Sequence, residues 1–288
     1  MSNDYSISAA IDKAARRLRE AGVDDPRREA GSLLGFVLGQ DRAYLIVNAA
    51  KLLSRSEAAQ FEEVVDRRAR REPFQQITGH QEFYGLDFIV TPDVLIPRPE
   101  TELLVETAFG FLSAGDPTLR VCDVGVGSGC IVITLLHERP RLRGLALDIS
   151  PAALAVAVTN AKRLEVADRL ELRESDGFAV LQAVPERFLL ITANPPYITE
   201  SDYAGLQPEV RDHEPRLALT PGGDGLSLIR RLLAAAPDFL VPGGHFLMEI
   251  GYDQGDAIAT MVDRSIWSEF AILPDLQGIP RCVVLRRA

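Results

Sequence analysis

A chain of 288 residues, 47% apolar and 25% charged, has room for a small domain beside a medium-sized one and can bury a sizeable core. It holds no uncharged apolar run of about 18 residues, so a membrane-spanning helix is not expected. The net charge of −10 is uneven: residues 1–72 carry 13 basic and 12 acidic side chains, whereas residues 73–288 carry 18 and 29, and an acidic main part disfavours a nucleic-acid partner.

Helix signals come first along the chain. Ile7, Ile11, Ala14, Ala15 and Leu18 recur at helical spacing, and Gly22 is placed to end that helix. Asp25 before Pro26 reads as a cap with proline at the first helical position, and Gly39 reads as a stop. Asp41 is expected to cap a short helix reaching Leu53. Ser54 with Glu57 forms a candidate capping box for a helix running to about Glu72. With no strand signal between them, residues 1–72 are expected to form a small helical bundle. Arg67, Arg68, Arg70 and Arg71 cluster at the end of the last helix, where cations complement the helix dipole or offer a docking patch.

The pattern changes at Pro73. Gly79 and Gly85, with Phe83, Leu86, Phe88 and Val90, suggest a β-hairpin or extended bridge over residues 73–95. Pro97 and Pro99 then open a helix over about 99–112. From there strands and helices alternate. Strands are expected at 120–124, 144–148, 170–173, 188–193, 245–250, 270–273 and 281–285. Helices are expected at about 129–138, 151–164 and 226–236, with Pro237 at the end of the last. This is a parallel α/β pattern with a hairpin-like finish, over a domain spanning 96–288.

Two segments carry the chemistry. Asp123 leads into Gly125-Val126-Gly127-Ser128-Gly129, a glycine turn between a strand and a helix, where a ligand can approach the backbone and the free N–H groups of the helix start. Asp148 ends the next strand, where a carboxylate can accept both hydroxyls of a ribose; capping the helix that starts beside Ser150 and Pro151 is the alternative. Asp176 follows the third strand and either meets an adenine amino group or is a solvated loop residue. After the fourth strand comes Asn194-Pro195-Pro196-Tyr197. Asn194 precedes a proline and is held extended, and neither proline offers an N–H, so the local backbone presents mainly acceptors. Tyr197 is expected to cover one face of a flat group. Such a cup suits a planar NH2 group.

With those residues in place, the second domain resembles the class I S-adenosylmethionine-dependent methyltransferases. The whole chain resembles the release-factor N(5)-glutamine methyltransferases of the HemK or PrmC type. Its further markers are Thr78-Gly79, Glu82-Phe83-Tyr84-Gly85, the segment from Leu95 through Pro97-Arg98-Pro99-Glu100-Thr101-Glu102, Glu214-Pro215-Arg216, Gly222 to Gly225, and Glu249-Ile250-Gly251. The resemblance implies a Rossmann-like seven-stranded sheet, S-adenosylmethionine as cofactor, and a protein substrate recognised by the helical domain: the glutamine of the Gly-Gly-Gln loop in class-one peptide release factors. It implies that Gly125, Val126, Gly127, Ser128, Gly129 and Asp148 line the cofactor, and that Asp176 and Gly177 lie at its adenine. Relatives often carry an aromatic at position 177, so that contact passes here to backbone or to Phe178. Asn194, Pro195 and Pro196 would hold the glutamine amide with Tyr197 against it, Asn194 would also touch the cofactor, and Arg98, Glu100 and Thr101 would shape the methionine end of the cofactor. A ribosomal-protein glutamine and a nucleic-acid amino group are the alternative substrates.

No metal is expected. Cys122, Cys130 and Cys282 lack metal spacing, and His80, His137, His213 and His245 form no constellation. The polar, acidic first residues do not resemble a secretory signal, and two of the cysteines lie within apolar stretches, as buried thiols in a reducing cytoplasm do, so a cytoplasmic location is expected.

Overall fold

The computed structural model describes residues 6–112, 120–183 and 186–288. The reading of the first residues as unlike a secretory signal falls mostly outside them. The chain forms two compact units. One runs to Gly79 and takes in Gln207–His213; the other comprises His80–Leu206 and Glu214–Ala288.

The first unit is helical: Ile7–Glu20, Pro26–Leu38, Arg42–Val47, Arg55–Ala69, Phe74–Thr78 and the distant Pro208–His213. Ile7, Leu18, Leu33, Leu34, Phe61 and Val65 bury the apolar faces of these helices against one another. Asp41 caps its helix by accepting from the Tyr44 N–H at 2.8 Å, and the Ser54–Glu57 capping box closes with both bonds made. Several expectations need correction. Asp25 has a left-handed backbone, φ +47°, and its side chain makes no capping bond, so proline geometry alone starts that helix. The third helix ends at Val47, well short of Leu53. Residues 74–78 are helical where an extended bridge was expected, because Gly79, at φ +79°, lets that turn close.

The arginine cluster is structural at three of its four positions. Arg67 pairs with Glu72. Arg68, with its side chain only 8% exposed, pairs with Glu29 and Glu209, and Arg71 forks onto Glu209 with both bonds at 2.6 Å. Burial pushes the Glu209 carboxyl up, but the two guanidiniums outweigh it and hold it below the usual range. The docking reading therefore keeps only Arg70, whose side chain is exposed. Glu209→Ala removes the shared acceptor while Arg68 keeps Glu29. It should destabilise the protein by about 1.5–3 kcal/mol in a denaturant titration, the scale of charged hydrogen bonds. A loss below about 0.5 kcal/mol would return the pair to a solvated surface role.

The second unit opens with an antiparallel hairpin, β1 (His80–Phe83) and β2 (Leu86–Ile89). Its two turn residues, Tyr84 and Gly85, both have positive φ, as a tight hairpin with native twist requires. A 3-10 turn, Pro99–Thr101, runs into the helix Glu102–Phe109. The strands that follow are β3 (Arg120–Val124), β4 (Arg143–Asp148), β5 (Leu170–Glu174), β6 (Phe188–Ala193), β7 (Leu240–Glu249), β8 (Trp267–Pro274) and β9 (Pro280–Arg287). They form one seven-stranded sheet in the order β5-β4-β3-β6-β7-β9-β8. The pairs from β5 through β7 are parallel, and β9 is antiparallel to both β7 and β8. The near-continuous apolar runs of β3, β4 and β6 follow from burial on both faces.

Helices Cys130–Glu138, Pro151–Arg163 and Ser227–Phe239 match the expected ones, except that Pro237 lies inside the last turn rather than after it. Glu200–Tyr203, Arg216–Leu219 and Gly255–Met261 were not foreseen. Chain order reverses at β3, with β4 and β5 on one side and β6 and β7 on the other. In open α/β sheets, that reversal is where a crevice opens beyond the carboxyl ends of the strands. Among the described residues no helix is long and apolar enough to cross a membrane.

Candidate active site

The carboxyl ends of β3, β4 and β6 share one cavity of about 370 Å³, within the range of small-molecule sites. The glycine turn after β3 forms part of its wall. Gly125, Gly127 and Gly129 have φ of +79°, +53° and +86°, a left-handed region that side chains resist. The N–H groups of Gly125 and Val126 both donate to the Leu147 carbonyl, at 2.8 and 3.0 Å, which ties the turn to β4. A Cβ at Gly127 would project into open space. One at Gly129 would come within 2.5 Å of Ile133 Cδ1 in the helix below. Gly125, Val126, Gly127 and Ser128 line the cavity; Gly129 instead lets the helix Cys130–Glu138 start close beneath it.

Asp148 lines the same cavity and is not free. Its Oδ2 accepts from the Gly127 N–H and its Oδ1 from the Ser150 N–H, both at 2.9 Å. The helix cap is Ser150, whose hydroxyl accepts from the Ala153 N–H, so the capping alternative for Asp148 is set aside. A carboxylate has roughly four acceptor sites, which leaves room for further donors from a bound molecule. Asp176 lines the cavity and pairs with Arg231 at 2.9 Å, both about half exposed. Gly177 sits at φ +57° on the wall. Phe178 turns the other way: it is 4% exposed and stacks on Phe239 with centroids 5.0 Å apart. The expectation that Phe178 substitutes for an aromatic at 177 is corrected, because its ring is committed to the core.

Asn194, Pro195 and Pro196 line the cavity at the end of β6. Tyr197 does not; its ring packs on the core under the sheet and its hydroxyl donates to Glu249 Oε1 at 3.3 Å. In place of the expected open stacking face there is a partly buried ring packed against the core. The Tyr197 carbonyl is also taken, by Gln254 Nε2 at 2.9 Å, and Gly225 leaves it no room for a neighbouring Cβ, which would fall 2.2 Å away. Of the four residues of the cup, Asn194, Pro195 and Pro196 remain on the cavity wall. Asn194 Nδ2 donates to Thr101 Oγ1 at 3.2 Å, and Thr101 Oγ1 donates to Glu249 Oε2 at 2.6 Å. Glu249 is 3% exposed, and burial pushes its carboxyl above the ordinary value. Burial likewise pushes the Asp123 carboxyl up to about 7, against hydrogen bonds from the Thr192 hydroxyl and the Val132 backbone.

Arg98 and Thr101 line the cavity, whereas Glu100 does not. Arg98 pairs with buried Glu214, which also accepts from the Ile96 N–H at 3.0 Å and so clamps the segment carrying Pro97 and Arg98. Asn160, missed in the sequence, is fully buried. Its amide donates to the carbonyls of Ile89 and Ser128 and accepts from the Ile89 N–H, joining the β2 end to the glycine turn. The available signal was an asparagine on the apolar helix face of Val156, Ala157 and Ala161. His245 stacks on Phe111 at 3.8 Å, a packing role. Among the described residues no group of His, Cys, Asp and Glu has the disposition to hold a metal.

Residues 9–79 match the PrmC N-terminal domain, and residues 100–224 match the methyltransferase small domain. The chain is 48% identical to the release factor glutamine methyltransferase of Cereibacter sphaeroides, over 96% of this chain and 97% of that one. It is 44% identical to the release factor glutamine methyltransferase of Koribacter versatilis, over 98% and 99%. A solved methyltransferase from Pyrococcus furiosus shares the fold, with a TM-score of 0.53 at 19% identity, covering 77% of this chain and 98% of that one. Identity at that level over nearly the whole length of both chains establishes that this chain belongs to the release factor glutamine methyltransferase family.

Proposed function

We propose that the chain methylates the side-chain nitrogen of a glutamine in peptide chain release factors, that of the Gly-Gly-Gln loop, using S-adenosylmethionine. The observation that carries this reading is that the glycine turn, Asp148 and Asn194-Pro195-Pro196 line one cavity. The cofactor fits what is present: a glycine turn whose Gly127 leaves open space in the wall, and a carboxylate with acceptor capacity to spare beyond its two backbone donors. When bound, it supplies a methyl group already activated by a positively charged sulfur.

The chain's own residues do the positioning. Gly125, Val126, Gly127 and Ser128 present backbone to the cofactor and Asp148 takes its ribose, with Asp176 and Gly177 at the adenine. Gly129 acts by letting the helix start close below the turn. A carboxamide nitrogen is a poor nucleophile, so its orientation toward the methyl carries much of the rate. Asn194 Oδ1 and the Pro195 carbonyl would accept its two hydrogens and stabilise the positive charge that develops on nitrogen as the carbon–nitrogen bond forms and the methyl–sulfur bond breaks, one of the two protons then leaving to solvent. Pro196 keeps the backbone extended, and Tyr197 supports the cup from below through Glu249. The helical unit recognises the protein that carries the glutamine.

Asp148 gives the cofactor assignment a sharp test. Asp148→Ala removes the ribose acceptor and also releases the Gly127 N–H, so affinity for S-adenosylmethionine should fall by about 1.5–3 kcal/mol or more by calorimetry. Unchanged affinity in a folded variant would contradict the assignment. The acceptor itself is tested by incubating the protein and isotope-labelled S-adenosylmethionine with intact release factor, a peptide bearing its glutamine loop, ribosomal proteins and duplex DNA. Intact release factor should be labelled best. Preferential labelling of ribosomal protein or DNA would overturn the substrate, and equal efficiency on the peptide would overturn recognition by the helical unit.

A further inference from the structure

The residues that line the cup are held by a run of hydrogen bonds whose direction is fixed at its buried end. Glu249 sits at the end of β7 and Thr101 at the start of the helix Glu102–Phe109; both are at most 3% exposed. The 2.6 Å separation between Thr101 Oγ1 and Glu249 Oε2 is that of a hydroxyl donating to a carboxylate. A hydroxyl has one proton, and this one is spent on Glu249. Thr101 Oγ1 can then only accept from its other neighbour, the side chain of Asn194 at 3.2 Å. Of the two ends of the Asn194 amide, the NH2 end must face Thr101, so Oδ1 faces the other way. Tyr197 donates its hydroxyl to the second oxygen of the same carboxylate, which keeps Glu249 an acceptor on both sides.

We propose that Thr101 and Glu249 are positioning residues for methyl transfer: the run Asn194–Thr101–Glu249–Tyr197 locks the Asn194 amide with its oxygen toward the substrate, so that the cup receives an NH2 group and refuses a carbonyl or carboxylate oxygen. The proposal rests on the reading of Asn194 as the acceptor for the glutamine amide and adds what sets its sense. A reversed Asn194 would offer donors to a group that also has only donors on its nitrogen. The lock therefore selects the nitrogen end of a side-chain carboxamide over its oxygen end and over the carboxylate of glutamate. Thr101 acts through Asn194, and Glu249 acts through Thr101.

The test uses the full-length protein with intact release factor and S-adenosylmethionine. Thr101→Val keeps the shape and removes the hydroxyl. It should lower kcat about 10–100-fold with cofactor affinity changed less than about twofold, and Thr101→Ser should restore kcat to within about threefold. In the double variant Thr101→Val/Asn194→Ala, turnover should match that of Asn194→Ala alone, because Thr101 has no effect except through Asn194. Losses that multiply in the double variant would overturn the proposal, as would a Thr101→Val enzyme that turns over normally beside a crippled Asn194→Ala enzyme; in the latter case the acceptor reading itself survives. If Asn194→Ala also turned over normally, the acceptor reading would fail, and the proposal with it. Should Thr101→Val not fold, Thr101→Ala serves in the same comparison with Thr101→Ser.

Discussion

Asn194→Ala is expected to lower turnover on release factor at least about 10²-fold, the scale of losing one preorganised polar contact to a reacting group. The change removes the Oδ1 acceptor and leaves the two prolines and the β6 ladder untouched. Thr101 keeps its bond to Glu249, so the buried carboxylate is not orphaned and the fold should stand. Affinity for S-adenosylmethionine should change far less than turnover, since the glycine turn and Asp148 are linked to each other and not to the Asn194 side chain. Single-turnover kinetics beside calorimetry separate the two quantities. Near-normal turnover would remove Asn194 from the chemistry.

The second large effect lies on the substrate side. A release factor with its loop glutamine changed to asparagine should give no detectable product. The cup is tied down on several sides: Asn194 donates to Thr101, Pro195 is buried, and the Tyr197 carbonyl accepts from Gln254. It cannot follow a nitrogen withdrawn by one methylene, and a displacement of about 1 Å in a near-attack arrangement already costs on the order of 10²-fold. Glutamate at that position should fail for a different reason, having no NH2 group and a charge that faces the Asn194 oxygen. Methylation of the asparagine variant at a comparable rate would show that the cup does not set the reach.

Much of this architecture is legible in the sequence because the signals are local. Alternating strand and helix patterns, the left-handed glycines at 125, 127 and 129, the capping box at Ser54 and Glu57, and the two prolines after Asn194 each express their geometry within a few residues. The bounds of β3 and β6 coincide with expectation because both strands end where a glycine or proline forces them to. Errors concentrate where a side chain's partner is far away along the chain. Asp148 looks unpartnered in sequence, yet backbone N–H groups from Gly127 and Ser150 converge on it. Phe178 has the chemistry to cover an adenine, but the stacked Phe239, brought in by a later helix, claims its ring.

Tyr197 reads as an exposed platform until β7 brings Glu249 under it. The arginine cluster reads as a patch until Glu209, well over a hundred residues later, neutralises two of its members. The polar residues that organise the site most strongly, Thr101, Asn160, Glu214 and Glu249, are buried groups whose partners come from other elements. Local periodicity carries no record of such pairings. A buried polar group must nonetheless find a partner, so each of them marks a constraint that the fold satisfies.

The most direct measurement of the central claim is tandem mass spectrometry of intact release factor after incubation with the protein and S-adenosylmethionine, with fragmentation that locates the added methyl. The account predicts a single methyl group on the side-chain nitrogen of the Gly-Gly-Gln glutamine, formed at least about 10²-fold more slowly when Asn194→Ala replaces the native protein. A methyl group on any other residue, or an unmodified release factor beside a methylated nucleic acid, would contradict it.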